Sequence, residues 1–196
     1  REQTVHVLAF SGDTKGGGGT GVVLLGKDGV SYVFTAAHVV PDACDQRMFV
    51  EVHSLECDAL IPLETEIVLV DRSRDFALLK VTSPHSFARY AQVAARRPAV
   101  GERVQHIGFM YGHEYPHAYS SGLVALVDRP SAGWIKIGCD VASMVAMPGS
   151  SGGPVFNDHG RLVGILIGIS RSGFAFYVPL FHINESLRVS KIGLSF

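Results

Sequence analysis

The sequence predicts an all-β protein built in two halves, and three observations carry that expectation. Apolar residues recur in short runs of strand length, punctuated by Gly, Pro, Asp and Ser, with little 3.6-residue periodicity. These runs fall into two sets of six, separated by a stretch rich in Ala, Arg and Pro from Ser83 to Gly101. The 196 residues are 47% hydrophobic and 18% charged, enough to bury a sizeable core without disulfide or metal staples.

The first six strands are expected at Val5–Phe10, Gly21–Leu25, Tyr32–Thr35, Met48–His53, Ile67–Val70 and Ala77–Val81. The second six follow at Arg103–Gly108, Gly122–Val127, Trp134–Gly138, Pro154–Phe156, Leu162–Ile167 and Phe174–Val178. Each is rich in β-branched or aromatic residues and bounded by turn formers. The halves therefore divide at about residue 90, into 1–90 and 91–196. Only the end reads as helical: Phe181–Ser190 sets Phe181, Ile183, Leu187 and Val189 among polar residues, with Asn184 as a candidate cap. The Gly16–Gly19 run lacks the Lys-Ser/Thr and helix of a phosphate-cradling loop, so it reads as a flexible turn ahead of Gly21–Leu25. Phe109, Trp134 and Phe174 are expected in the core.

Charge excludes some functions. Seventeen Lys and Arg against 18 Asp and Glu leave a formal charge of −1, without the basic surplus of a nucleic-acid binder. No apolar run approaches a membrane span. Three cysteines (Cys44, Cys57, Cys139) leave at least one without an intrachain partner. A Cys44–Cys57 pair is one reading, but a reduced intracellular compartment, such as a host cytoplasm, is the simpler expectation. Residue 1 is Arg rather than Met, so the chain is expected to have been cut from a larger precursor.

Three segments carry chemistry. In Met147-Pro148-Gly149-Ser150-Ser151-Gly152-Gly153-Pro154, glycines flank Ser151 and permit a tight, exposed turn. A serine nucleophile needs a base for its proton and donors for the developing oxyanion. The backbone N–H groups of Gly149 and Ser151 are the candidate donors. In Phe34-Thr35-Ala36-Ala37-His38-Val39-Val40, small alanines beside His38 leave room for a partner side chain. Arg74-Asp75-Phe76-Ala77-Leu78-Leu79-Lys80-Val81 places a carboxylate at the head of an apolar strand, where it would be costly unpaired. His38 would supply that partner, with Asp75 fixing the Nδ1–H tautomer and Nε2 left to serve Ser151. Asp71, the rival acid four residues upstream, reads as a surface-turn residue.

The order His38, Asp75, Ser151 and its surroundings resemble the trypsin-like serine peptidases of the chymotrypsin fold, above all the HtrA-like branch and small bacterial and viral relatives. The resemblance runs over nearly the whole chain. It includes Thr20-Gly21-Val22-Val23, Thr35-Ala36-Ala37-His38, Asp75-Phe76-Ala77-Leu78-Leu79-Lys80-Val81, Val104-Gln105-His106-Ile107-Gly108 and Ser121-Gly122-Leu123-Val124. It continues through Pro148–Pro154, Gly164-Ile165 and Phe174-Ala175-Phe176-Tyr177-Val178-Pro179. The resemblance implies two six-stranded antiparallel β-barrels with a short C-terminal helix, His38 and Asp75 in the first barrel, and Ser151 in the second. It implies a serine endopeptidase acting on a polypeptide substrate through an acyl-enzyme, with no cofactor and no metal.

By the same resemblance, Val145, Ala146 and Met147 line the pocket for the side chain before the scissile bond, with Leu166, Ile167 and Gly168 opposite. No Asp or Glu stands there to select Lys or Arg, so an apolar pocket for small or medium aliphatic side chains is expected. HtrA-like peptidases usually carry a following peptide-binding module, and 196 residues hold no space for one. Between Tyr111 and Tyr119, His113, Glu114 and His117 suggest metal ligation, but Pro116 opposes a shared helical face. An exposed loop near the substrate, with tyrosines that contact it, is the simpler expectation. His6, His53, His85, His106, His159 and His182 read as structural or surface residues. A homo-oligomer, polyprotein processing and protein quality control all stay open. The competing function is a catalytically silent protein-binding scaffold of the same fold.

Overall fold

A computed structural model describes residues 3–11, 14–41, 46–54, 59–129 and 138–192. Six strands form a first closed barrel: β1 (Thr4–Ser11), β2 (Thr14–Leu25), β3 (Ser31–Thr35), β4 (Gln46–Ser54), β5 (Ala59–Asp71) and β6 (Phe76–Val81). Six more close a second: β7 (Arg103–Met110), β8 (Tyr115–Arg129), β9 (Cys139–Ala142), β10 (Pro154–Asn157), β11 (Leu162–Ile169) and β12 (Ala175–Pro179). All strand pairings within the barrels are antiparallel. Helix α1 (Leu180–Val189) follows directly on β12.

The neighbour order is β1-β2-β3-β6-β5-β4 in the first barrel and β7-β8-β9-β12-β11-β10 in the second. One topology is thus used twice although no sequence repeat announces it. Closure leaves no open sheet edge. Inward residues such as Val7, Val22, Val33, Phe34, Val50, Phe76 and Leu78 are buried in the first barrel, and Phe34 meets Phe76 edge-to-face at 5.1 Å. A second cluster, from Val104 to Tyr177, fills the other.

Several expectations need correction. Gly16–Gly19 is no turn: it extends β2 and pairs with β1 from Gly19 opposite Val7 to Gly17 opposite Ala9. A run without side chains shows no alternation, so its strand character is visible only through its partner. Gly19 also lies where a Cβ would come within 2.7 Å of the Ser151 carbonyl oxygen and of Val39, which explains the bare backbone there. For Trp134–Gly138, residues 130–137 lie outside the described residues, and the strand that fills the third place is Cys139–Ala142. Asp140 broke its apolar pattern, yet that carboxylate is fully buried and held by Arg97.

The helix begins at Leu180, with Pro179 as N-cap, and Asn184 is internal to it. Phe109 is buried, but Phe174 is 39% exposed at the start of the hairpin arm into β12. Trp134, Cys44 and Cys57 lie outside the described residues; Cys139 is buried and unbonded to another cysteine. Only the turn 111–114 of the Tyr111–Tyr119 stretch is a loop, because Tyr115 onward belongs to β8.

Candidate active site

The barrel topology brings His38 and Asp75 together. β3 and β6 are neighbours, paired from Tyr32 opposite Lys80 to Thr35 opposite Ala77. His38 follows β3 on a 3₁₀ turn (Ala37–Val39), and Asp75 precedes β6. Asp75 Oδ2 lies 2.7 Å from His38 Nδ1, and its Oδ1 accepts the His38 backbone N–H at 2.8 Å. An ionised carboxylate only accepts, so Nδ1 carries the proton and Nε2 keeps its lone pair. The Asp75 side chain is 4% exposed and the His38 ring 45%, so the pair is anchored at the acid and open at the base.

Two neighbours hold this pair. The Arg72 guanidinium donates to the carbonyls of Ala37 and of Val40, the latter at 2.7 Å, bracketing the histidine turn. Asp71 shapes the approach to Asp75. Its Oδ1 accepts the backbone N–H of Ser73 (3.0 Å) and of Arg74 (3.2 Å), an Asx-type turn after which Asp75 takes a left-handed φ of 55°. Asp71 also accepts Ser186 Oγ–H from α1 at 2.7 Å and pairs with Arg74 at 2.9 Å. Burial pushes its carboxyl up, but the bonds from Ser73, Ser186 and Arg74 outweigh that and hold it at about 2. Asp71 is therefore a half-buried anchor for the helix rather than a surface-turn residue. Its sequence signal was the Asp-Arg-Ser spacing of an Asx turn.

Ser151 sits on a chain of tight turns between the barrels. Ser150 N–H donates to Met147 O (2.9 Å) and Gly153 N–H to Ser150 O (3.0 Å). Gly152 N–H donates to Leu166 O (2.6 Å), and Leu166 N–H returns to Gly153 O (2.8 Å), seating the loop on β11. Gly149 and Gly152 have φ of 90° and 84°, in the region that favours glycine. A Cβ at Gly152 would collide with Thr20 O and Thr35 Oγ1, so the serine loop lies directly on the strands leading to His38. Among the described residues, the His38 ring bonds through Nδ1 to Asp75, and no hydrogen bond joins Ser151 Oγ to His38 Nε2; catalytic hydrogen bonds are often long before substrate is bound.

Thr20, fully buried on β2, joins the barrels at this point. Its N–H donates to Ser151 O (2.7 Å) and its Oγ1–H to Gly149 O (2.7 Å). Oγ1 accepts the Phe109 N–H (2.9 Å), and the Thr20 carbonyl accepts Thr35 Oγ1–H (2.8 Å). In the sequence Thr20 stood just before the expected strand, within the segment Thr20-Gly21-Val22-Val23, and its role was not legible because its four bonds depend on which loops fold against it.

The candidate oxyanion donors are also oriented. Tyr111 N–H donates to Pro148 O at 2.6 Å. In a trans peptide the N–H points opposite to the carbonyl, so this bond turns the Gly149 N–H away from Tyr111. Among the described residues, neither Gly149 N–H nor Ser151 N–H donates to a protein acceptor.

Of the residues expected to line a pocket, Val145 (56% exposed) and Met147 (40%) are accessible and Gly168 is partly so. Ala146, Leu166 and Ile167 are buried, and Leu166 and Ile167 belong to the packed cores. One-residue alternation on β11 cannot by itself tell a pocket wall from a core side chain. His106, also buried, donates Nδ1–H to Pro154 O at 3.0 Å. Burial lowers its pKa to about 4, partly offset by that backbone bond.

Two closed barrels in this order, with a helix after the last strand, define the two-barrel chymotrypsin-like class. A model of the trypsin-like peptidase domain matches residues 19–165, and the chain belongs to that family. It is 32% identical over 164 residues to the serine protease Do-like HtrA of Bacillus subtilis, covering 79% of this chain and 34% of that protein. It is 29% identical over 157 residues to the chloroplastic protease Do-like 8 of Arabidopsis thaliana, covering 75% and 34%. The chain thus spans about a third of the length of these curated relatives. Among solved structures, a protease from M. tuberculosis in its active form superposes with a TM-score of 0.76 at 21% identity, over 100% of this chain and 82% of that one. A serine endoprotease from Yersinia pestis gives 0.74 at 22%, over 98% and 64%. Other matches are described as probable periplasmic serine endoproteases, which lends no support to the expected reducing compartment. Among the described residues, no helix is long and apolar enough to cross a membrane.

Proposed function

We propose that the chain is a serine endopeptidase that cleaves polypeptides through an acyl-enzyme. The observation that carries this reading is the doubly bonded His38–Asp75 pair, set on a turn that abuts the glycine-rich loop bearing Ser151. Ser151 Oγ attacks the scissile carbonyl while His38 Nε2 takes its proton. Asp75 keeps the ring in the Nδ1–H tautomer and stabilises the imidazolium that forms. The free N–H groups of Gly149 and Ser151 receive the oxyanion. His38 then hands its proton to the leaving amine, and water repeats the sequence to release the acid.

The side chain before the scissile bond meets the accessible Val145, Met147 and Gly168. That lining favours small or medium aliphatic side chains, each methylene-scale difference contributing roughly 1–3 kcal/mol. The Do-like names of these relatives, one of them HtrA, favour an HtrA-like role over polyprotein processing.

Labelling with a fluorophosphonate tests the reading. Wild-type protein should be modified at Ser151 and cleave an unfolded protein substrate, and Ser151→Ala should do neither while keeping its circular dichroism. A folded wild-type protein that resists the probe would instead be a catalytically silent binding scaffold. Sequencing the products from a peptide library separates one narrow cleavage motif from broad cleavage of unfolded chains.

A further inference from the structure

We propose that His6, Glu51 and His113 form a zinc site that clamps the first barrel to the turn holding the oxyanion peptide. The three side chains come from three separate elements. His6 on β1 and Glu51 on β4 are directly opposed across the sheet, and His113 arrives from the β7–β8 turn of the other barrel. Glu51 Oε2 is 2.9 Å from His6 Nδ1 and 2.9 Å from His113 Nε2. The three ligand atoms all lie within 4.8 Å of one another.

Two imidazole nitrogens and one carboxylate oxygen are the donor set of an open zinc site, with bonds of about 2.0–2.2 Å. Closing onto one ion needs shifts of the order of an ångström, and the exposed His113 side chain has room to make them. His6 is 3% exposed and stacks on Phe109 with centroids 5.0 Å apart, whereas His113 is 43% exposed and meets the His6 ring edge-on at 4.5 Å. Water completes the coordination on the exposed side. Each ring then holds its proton on the nitrogen opposite the metal, so both imidazoles stay neutral. Gly112, with φ of 69°, brings the turn to this place; even a Cβ there would lie 3.8 Å from the His6 ring.

The consequence reaches the candidate catalytic loop. Two residues before His113, the Tyr111 N–H holds the Pro148 carbonyl and so sets the direction of the Gly149 N–H. An ion on His113 fixes that turn against β1 and β4 and preorganises the oxyanion donor. Zinc should therefore raise kcat and leave KM nearly unchanged.

Calorimetry on the full chain carrying Ser151→Ala measures zinc binding without turnover. One ion per chain is expected, weakened at least about tenfold by Glu51→Gln or by His113→Asn and unaffected by His38→Ala. His113 is exposed, so its replacement leaves both cores intact. In the chain with Ser151 present, chelation should lower kcat several-fold, and His113→Asn should make kcat insensitive to zinc. No saturable site, or binding lost with His38→Ala but kept with His113→Asn, overturns the assignment. Zinc bound through His113 with kcat unmoved overturns the coupling to the oxyanion peptide.

Discussion

Asp75 accepts two hydrogen bonds from one residue: the backbone N–H of His38 at 2.8 Å and its Nδ1–H at 2.7 Å. The first fixes where the histidine turn begins, and the second fixes which ring nitrogen is free. Asp75→Asn can preserve the geometry but presents an amide N–H to Nδ1, favouring the wrong tautomer. A drop in kcat of about 10⁴-fold with near-normal stability is expected. Steady-state kinetics beside a urea melt measures both, and a kcat within tenfold of wild type would remove Asp75 from the machinery.

Gly149 lies where the backbones of Phe109, Tyr111 and Gly112 leave no space for a methyl group, at a φ of 90°. Gly149→Ala must therefore rotate the Pro148–Gly149 peptide or push the β7–β8 turn away. Either movement misdirects a candidate oxyanion donor, and kcat should fall about 10²- to 10³-fold. Fluorophosphonate labelling should slow in parallel, because that reaction also builds negative charge on oxygen.

Thr20→Val keeps the shape of a buried side chain but removes the Oγ1 bonds to Gly149 O and from Phe109 N. A loss of about 1–3 kcal/mol in stability is expected from the two stranded groups. Because those groups orient the serine loop, kcat should fall more than KM rises, and Thr20→Ser should restore both. A stability loss with unchanged kcat would reduce Thr20 to a structural residue.

His106 gives the fold an acid limit. Its folded pKa of about 4 lies below the ordinary histidine value, so the unfolded chain binds the extra proton between the two. Its contribution to stability is complete above the ordinary value and is lost as pH falls from there through about 4. The loss is of the order of 3 kcal/mol. Unfolding free energies measured from pH 7 to pH 4 should show this slope in wild type, and His106→Leu should flatten it.

How far the sequence reached depended on whether a residue's environment was local. His38, Asp75 and Ser151 each stood in a segment whose neighbours marked a candidate site: small alanines, an apolar strand, paired glycines. Gly16–Gly19 misled because glycines carry no alternation, and only pairing with β1 makes them a strand. Asp140 concealed β9 because its countercharge, Arg97, is 43 residues away in sequence and 2.8 Å away in space. Asp71 read as a surface acid until α1 brought Ser186 onto it. Leu166 and Ile167 read as pocket walls because an apolar strand looks the same from either face.

By itself the sequence determined that the chain is all-β and comes in two halves, and it singled out three side chains as candidates for nucleophilic chemistry. Strand length, turn formers and residue type are properties of neighbours along the chain, so local physics suffices for them. Only the tertiary structure decided what those side chains face. The β3–β6 neighbourhood joins His38 to Asp75, Thr20 ties the serine loop to the first barrel, and Tyr111 aims the Gly149 N–H. His6, Glu51 and His113 meet only there as well, from positions spread over more than half the chain. Hydrogen bonds and ligand sets are fixed by distances of about 3 Å, and such distances are set by barrel closure rather than by spacing in sequence.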